Sequence, residues 1–181
     1  MNRRVGFIVN PLSHTVKRHG SVLEKVSASS GAPLMRLSDF GALPEQIRTL
    51  AEDGVAALFV EGGDGTLQAV LTAWGALTPA RPWPDFAIIA GGSTNLAHKI
   101  VGLGPRAPKS IATYIARYQA DAAPSHTLQH ALKVESAALA RPQIGMLLST
   151  GSLARTMLFV QRELHGAGRR LAGARSCRPH E

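Results

Sequence analysis

Val5-Gly6-Phe7-Ile8-Val9 is a short apolar, partly β-branched run stopped by Asn10-Pro11, and it reads as a buried strand feeding a turn. From Ser21 to Ser27 the residues Val22, Leu23 and Val26 recur at helical spacing, with Ser21 placed to cap the helix start. Leu34 to Leu37 reads as a short strand. Pro44 to Asp53 puts Ile47, Leu50 and Ala51 on one side of a helix that Gly54 closes. Val55 to Val60 is apolar at every position, as a central parallel strand buried on both faces must be. Thr66 to Trp74 then predicts a helix, Phe86 to Ala90 a strand, Asn95 to Val101 a helix and Lys109 to Tyr118 another. Strand and helix alternate throughout, which predicts a parallel sheet with helices on both faces, an α/β domain.

The character changes after Ala122 to Ser125. Leu128 to Val134 and Ile144 to Leu148 read as strands joined through a Pro-containing turn, and with no helical pattern between them antiparallel pairing is expected. Ser152 to Leu164 is helical by period, through Leu153, Met157, Val160 and Leu164, whereas Gly166 to Glu181 is Gly, Ala and Arg with no apolar face. The division predicted is an α/β domain over 1–123, an incomplete β-rich second domain over 124–166 and a disordered Arg-rich tail over 167–181. Strand edges and apolar faces left uncovered in the second segment predict self-association.

Composition narrows the class. Of 181 residues 45% are hydrophobic, and the only Cys is Cys177, which suits a folded domain rather than a disordered or fibrous chain. The apolar runs fall far short of the roughly 20 residues a membrane-spanning helix requires. The stretch after Met1-Asn2-Arg3-Arg4 is too short for a secretory signal, and one Cys allows no internal disulfide, so a cytoplasmic setting is expected. The net charge of +8 is lopsided: residues 1 to 140 hold 13 basic and 10 acidic residues, residues 141 to 181 hold 7 and 2. Phe159 alone interleaves the tail arginines, so no nucleic-acid partner is expected. Peripheral contact with an anionic inner membrane face suits the tail better, and simple solvation suits it best.

The chemistry concentrates in turns. Glu61-Gly62-Gly63-Asp64-Gly65-Thr66 lies directly after the most apolar strand and directly before a helix. Three glycines in four residues let backbone N–H groups approach a ligand, side chains at Gly63 or Gly65 would resist positive φ, and the following helix adds its positive end, a combination built for phosphate. It is neither the dinucleotide fingerprint nor a Walker A sequence. The alternative is a tight strand-to-helix turn capped by Asp64 or Thr66. Gly91-Gly92-Ser93-Thr94-Asn95 repeats the design after the next strand, and Asn10-Pro11-Leu12-Ser13 follows the first. Turns at the carboxyl ends of parallel strands line one crevice. Lys17 and Arg18 are placed to reach phosphate oxygens from its edge, or else form a solvated basic loop.

Gly62-Gly63-Asp64-Gly65-Thr66, with Asn10-Pro11-Leu12-Ser13 before it and Gly92-Ser93-Thr94-Asn95 after it, resembles the catalytic domain of the diacylglycerol kinase family, which includes sphingosine and ceramide kinases and bacterial lipid kinases. The likeness covers residues 4 to about 125. It implies a parallel-sheet nucleotide-binding domain of the lipid kinase and NAD kinase type, followed by a β-sandwich. It also implies transfer of the ATP γ-phosphoryl group, with Mg²⁺, to a lipid hydroxyl such as that of diacylglycerol or a sphingoid base. Asn10, Ser13, Gly62, Gly63, Gly65, Thr66, Gly92, Ser93, Thr94 and Asn95 would then contact the nucleotide and Asp64 would sit at the catalytic centre, while the metal ligands stay unassigned.

Three positions depart from the family pattern: His14 stands where Gly is usual, Ala69 where Glu is frequent and Leu96 where Asp is usual. With two carboxylates missing, metal binding and rate are affected before fold. The second domain is also short, which predicts impaired turnover. Two other readings remain: an enzyme resembling NAD kinases or phosphofructokinases with a soluble acceptor, and a nucleotide-binding remnant without catalysis. The His residues show no metal spacing, with His126 and His130 taken as solvated. Trp74 and Trp83 flank a Pro-rich loop and are expected to cover the sheet edge, and Cys177 lacks any visible base partner.

Overall fold

The uninterrupted apolar runs become neighbours in one sheet. In the computed structural model, which describes residues 3–122, 127–148 and 155, β1 (Val5–Val9), β2 (Leu34–Arg36), β3 (Ala57–Gly62) and β4 (Asp85–Ala90) lie in the order β2-β1-β3-β4. All three pairings are parallel, with Phe7 opposite Leu34 and Phe59, and Phe59 opposite Ala87. Parallel neighbours require long crossovers. These carry α1 (His14–His19), α2 (Val22–Ser30), α3 (Leu43–Glu52) and α4 (Asp64–Gly75), and past β4 the chain adds α5 (Leu96–Val101) and α6 (Pro108–Gln119). The fold is the expected α/β class.

Alternation along the strands divides the core into two layers. Val5, Phe7, Val9, Phe59 and Ile89 face Val22, Leu23 and Val26 of α2 and Ile111, Ile115 and Tyr118 of α6. Ile8, Leu58 and Val60 face Leu43, Ile47 and Leu50 of α3 and Val70, Ala73 and Trp74 of α4. Local signals agree with the sequence at several ends: Ser21 caps α2 by accepting from Glu24 N, and Gly54 follows α3 with φ +66°. The two tryptophans part company. Trp74 is buried in the second layer and donates through Nε1 to Pro82 O at 3.2 Å, while Trp83 is 51% exposed against Phe86.

The segment after residue 126 departs from expectation in extent. The strands shrink to β5 (Leu132–Val134) and β6 (Gln143–Gly145), paired antiparallel. His130 therefore precedes β5 rather than lying in it. β6 is docked on α4: Ile144 N donates to Thr72 Oγ1 at 2.9 Å, and Ile144 and Met146 pack on Leu67, Leu71, Ile88 and Ala97. The described residues up to Met146 form one compact unit, which takes in the hairpin as well as the α/β sheet. The predicted helix Ser152 to Leu164, apart from residue 155, and the Arg-rich tail with Cys177 lie outside the described residues. Among the described residues no helix is long and apolar enough to cross a membrane.

At the amino-terminal edge of the sheet the Tyr118 hydroxyl donates to Asp85 Oδ2 at 2.6 Å, with Ala56 O at 3.0 Å and the Arg3 guanidinium 5.3 Å from the ring centroid. Burial first, then the hydrogen bond to Asp85 and its negative charge, push the phenol up to about 12. An unfolded Tyr titrates near about 10, so the native state holds the proton longer, and this contribution is whole below about pH 10 and lost as pH climbs towards 12. Denaturant midpoints should fall over that window more steeply in the unmodified chain than in Tyr118→Phe. Parallel profiles would show that the hydroxyl carries no such linkage.

Candidate functional site

Because β1, β3 and β4 are parallel neighbours, the turns that leave them emerge at one edge, and short hydrogen bonds join all three. Asn10 N donates to Glu61 O at 2.9 Å, and Gly91 N donates to Gly62 O at 2.8 Å. Thr15 N donates to Gly91 O at 2.7 Å and Thr15 Oγ1 to Gly92 O at 2.8 Å. These last bonds explain α1, which the sequence presented as a loop. Its six residues bury only Val16, too weak an apolar face to signal a helix, and its first N–H groups find their acceptor in the distant Gly91. Lys17 and Arg18 are exposed on this helix.

Glycine is required here for contact between loops rather than for unusual dihedrals. A Cβ on Gly92 would lie 2.6 Å from Gly63 Cα, and one on Gly91 would lie 2.8 Å from Gly62 Cα. Gly63 itself has φ −95°, and no residue from Gly62 to Thr66 has positive φ, which corrects the conformational reason expected for Gly63 and Gly65. Gly65 has open space around it. The left-handed residue of the site is Asn95, at φ +51°.

The polar side chains brace the loops. Asn10 is buried, donates through Nδ2 to Thr66 Oγ1 at 2.8 Å and accepts from Leu12 N at 2.9 Å. Asn95 closes a double bond pair on one residue, accepting from Gly92 N and donating to Gly92 O, both at 2.8 Å. Asp64 is the first residue of α4, yet neither it nor Thr66 caps that helix, because Gly63 occupies the cap position without a side-chain bond. The Asp64 carboxylate instead crosses to α5 and accepts from Leu96 N at 3.0 Å and Ala97 N at 2.8 Å. It joins the second loop to the third. Ser13 is buried at the start of α1, and Ser93 and Thr94 are exposed at the lip of the third loop. At the amino end of α4, beside these loops, Thr66 N and Leu67 N donate to Gly63 O, while the first N–H groups of the helix have no acceptor within it.

Glu61 carries a role that sequence reasoning passed over. It is fully buried, and its carboxylate accepts from Ser21 Oγ, from Val22 N and Leu23 N at 3.0 Å each, and from the Arg106 guanidinium. Arg106 also donates to Gly20 O. The available signal was a lone carboxylate ending an otherwise apolar buried strand.

A magnesium site is not built by these residues. Magnesium favours oxygen ligands, commonly one or two carboxylates beside substrate phosphates. Glu61 at the end of β3 and Asp64 in the turn after it are the nearby carboxylates, and both are engaged by N–H donors. Ala69 and Leu96 offer none. Among the described residues no cluster of three or more His, Cys, Asp or Glu could hold a metal ion.

A parallel sheet with glycine-rich turns at the carboxyl ends of its strands is an open α/β architecture, in which ligands sit at that edge of the sheet. The sequence profile of the diacylglycerol kinase catalytic domain matches residues 4–126, and the chain belongs to that family. Among solved structures, one assigned as a diacylglycerol kinase from Bacillus anthracis str. Sterne superposes with a TM-score of 0.50 and 25% identity, covering 65% of this chain and 43% of that one. A diacylglycerol kinase structure from the same organism gives 0.49 and 25%, with the same coverage. The chain thus spans less than half the length of the solved structures it matches. No curated protein matches it.

Proposed function

We propose that this chain supplies the nucleotide-binding unit of an ATP-dependent lipid kinase. The observation that carries the reading is the convergence of three turns, Asn10 to Ser13, Gly62 to Thr66 and Gly91 to Asn95, bonded to one another at the edge of a parallel sheet. Backbone N–H groups at the start of α4 would take the phosphates. Ser93, Thr94 and Ser13 would border the nucleotide, while Asn10, Thr66 and Asn95 hold the loops in place. Asp64 would stand nearest the transferred group. The acceptor would be a lipid hydroxyl, of diacylglycerol or a sphingoid base, which the family membership favours over the soluble acceptor of an NAD-kinase-like enzyme.

A second reading, binding without turnover, is favoured by the engagement of both Asp64 oxygens. Phosphoryl transfer demands an acceptor held in line and charge stabilisation around the γ-phosphate. Loss of general-base help costs about 10²- to 10⁴-fold, and loss of acceptor positioning several further powers of ten. Titration of the purified chain with Mg-ATP should show saturable binding. Labelled ATP with mixed micelles of diacylglycerol, monoacylglycerol and sphingoid bases should show negligible transfer by this chain alone. No binding at millimolar nucleotide in a folded sample would overturn the nucleotide site. Lipid phosphorylation abolished by Asp64→Asn would establish a complete kinase in this chain and discard the second reading.

A further inference from the structure

Beneath the three loops lies a buried ion pair, Glu61 with Arg106. Glu61 is the residue immediately before Gly62-Gly63, and its side chain is fully buried. Three partners of its carboxylate lie on one helix start: the Ser21 hydroxyl and the N–H groups of Val22 and Leu23. The fourth, the Arg106 guanidinium, comes from the connection between α5 and α6 and also donates to Gly20 O. One carboxylate thereby ties the end of β3 to the amino end of α2 and to the chain leaving α5.

The backbone of Glu61 and Gly62 holds the other loops. Glu61 O accepts from Asn10 N and Gly62 O accepts from Gly91 N. A side chain fixed from below thus sets the carbonyls that align the first and third turns. A buried ion pair is an uncertain source of stability, since desolvation offsets the attraction, but it can select one arrangement among several. Removing a single partner leaves the other charge buried and unpaired, so the arrangement has a sharp energetic preference.

We propose that Glu61 and Arg106 are positioning residues for the nucleotide-binding turns. They act through Gly62, Asn10 and Gly91, without touching the ligand, and the pair couples the α5–α6 connection to the phosphate cradle. The inference rests on the nucleotide reading for its consequence but not for its geometry.

The test compares Glu61→Gln and Arg106→Met, singly and together, with Tyr118→Phe, which removes a polar contact at the opposite edge of the sheet. In the full chain, Mg-ATP affinity should fall at least tenfold in Glu61→Gln and Arg106→Met. The double variant should lose little more than either, because each single change already breaks the pair. Tyr118→Phe should lower the melting temperature while leaving affinity unchanged. Amide hydrogen exchange supplies a readout independent of nucleotide: Asn10 and Gly91 should lose protection in Glu61→Gln and keep it in Tyr118→Phe. Unchanged exchange at Asn10 and Gly91 would overturn the positioning role, whatever the chain binds. An unmodified chain that binds no nucleotide, with exchange altered as expected, would instead sink the nucleotide reading and leave the pair as the organiser of the turns. A Glu61→Gln chain that does not fold would pass the comparison to Arg106→Met, in which retained affinity and protection would count against the proposal.

Discussion

Gly92→Val should nearly abolish Mg-ATP binding and weaken the fold together. Its Cβ would lie 2.6 Å from Gly63 Cα, a backbone atom that cannot rotate aside, so the second and third loops must separate. Overpacking of this kind typically costs about 1–3 kcal/mol. Displacement of a binding group by about 1 Å can cost on the order of a hundredfold in function, and affinity should drop by at least that. Gly65 provides the contrast, because nothing lies within 4 Å of a Cβ placed there. Gly65→Ala should stabilise the chain by up to about 1 kcal/mol, as expected for glycine replaced by alanine in a helix. The bulkier Gly65→Val should still cost binding if phosphate rests on the amino end of α4. Calorimetric titration and denaturant melts on the same samples measure both quantities. Equal binding by Gly92→Val and the unmodified chain would mean that the ligand does not enter between these loops.

Asp64→Ala should produce the second large effect, felt on α5 rather than on the helix that contains the residue. Leu96 N and Ala97 N would lose their shared acceptor. Loss of a helix-capping acceptor usually costs about 0.5–2 kcal/mol. Release of that helix start also loosens Ser93 to Asn95, so ATP affinity should fall about tenfold, in line with a coupling of about 1.4 kcal/mol. Asp64→Asn keeps one carbonyl oxygen and the side chain's shape, so it should recover part of the stability and most of the affinity. Indistinguishable melts for Asp64→Ala and the unmodified chain would show that the bridge to α5 contributes nothing.

The architecture was readable wherever burial was uniform. β1, β3 and β4 are apolar on both faces because helices cover both sides, and such runs need no partner sequence to be recognised. The three turns were readable for the same reason, as each interrupts an apolar run with glycine or asparagine. What failed to register depends on residues far apart. The bond from Asp64 to α5 spans about thirty positions, and nothing at residue 64 distinguishes a cap for its own helix from one for the next. The glycines were expected to serve positive φ, whereas the structure uses Gly63 and Gly92 as facing surfaces, which spacing along one chain does not reveal. Glu61 was read as part of a loop, yet it ends a strand and organises α2 from forty residues away.

The docking of β6 on α4 bears on where this molecule can be shortened. Ile144 and Met146 shield Leu67, Leu71, Ile88 and Ala97, so the apolar side of α4 is finished by a hairpin that follows α6. A chain ended near residue 123 would retain every strand of the parallel sheet but present that side to water, with Thr72 deprived of its partner. Removing the hairpin should therefore lower the melting temperature and promote self-association, and the smallest fragment with this side of α4 covered is one that retains β5 and β6.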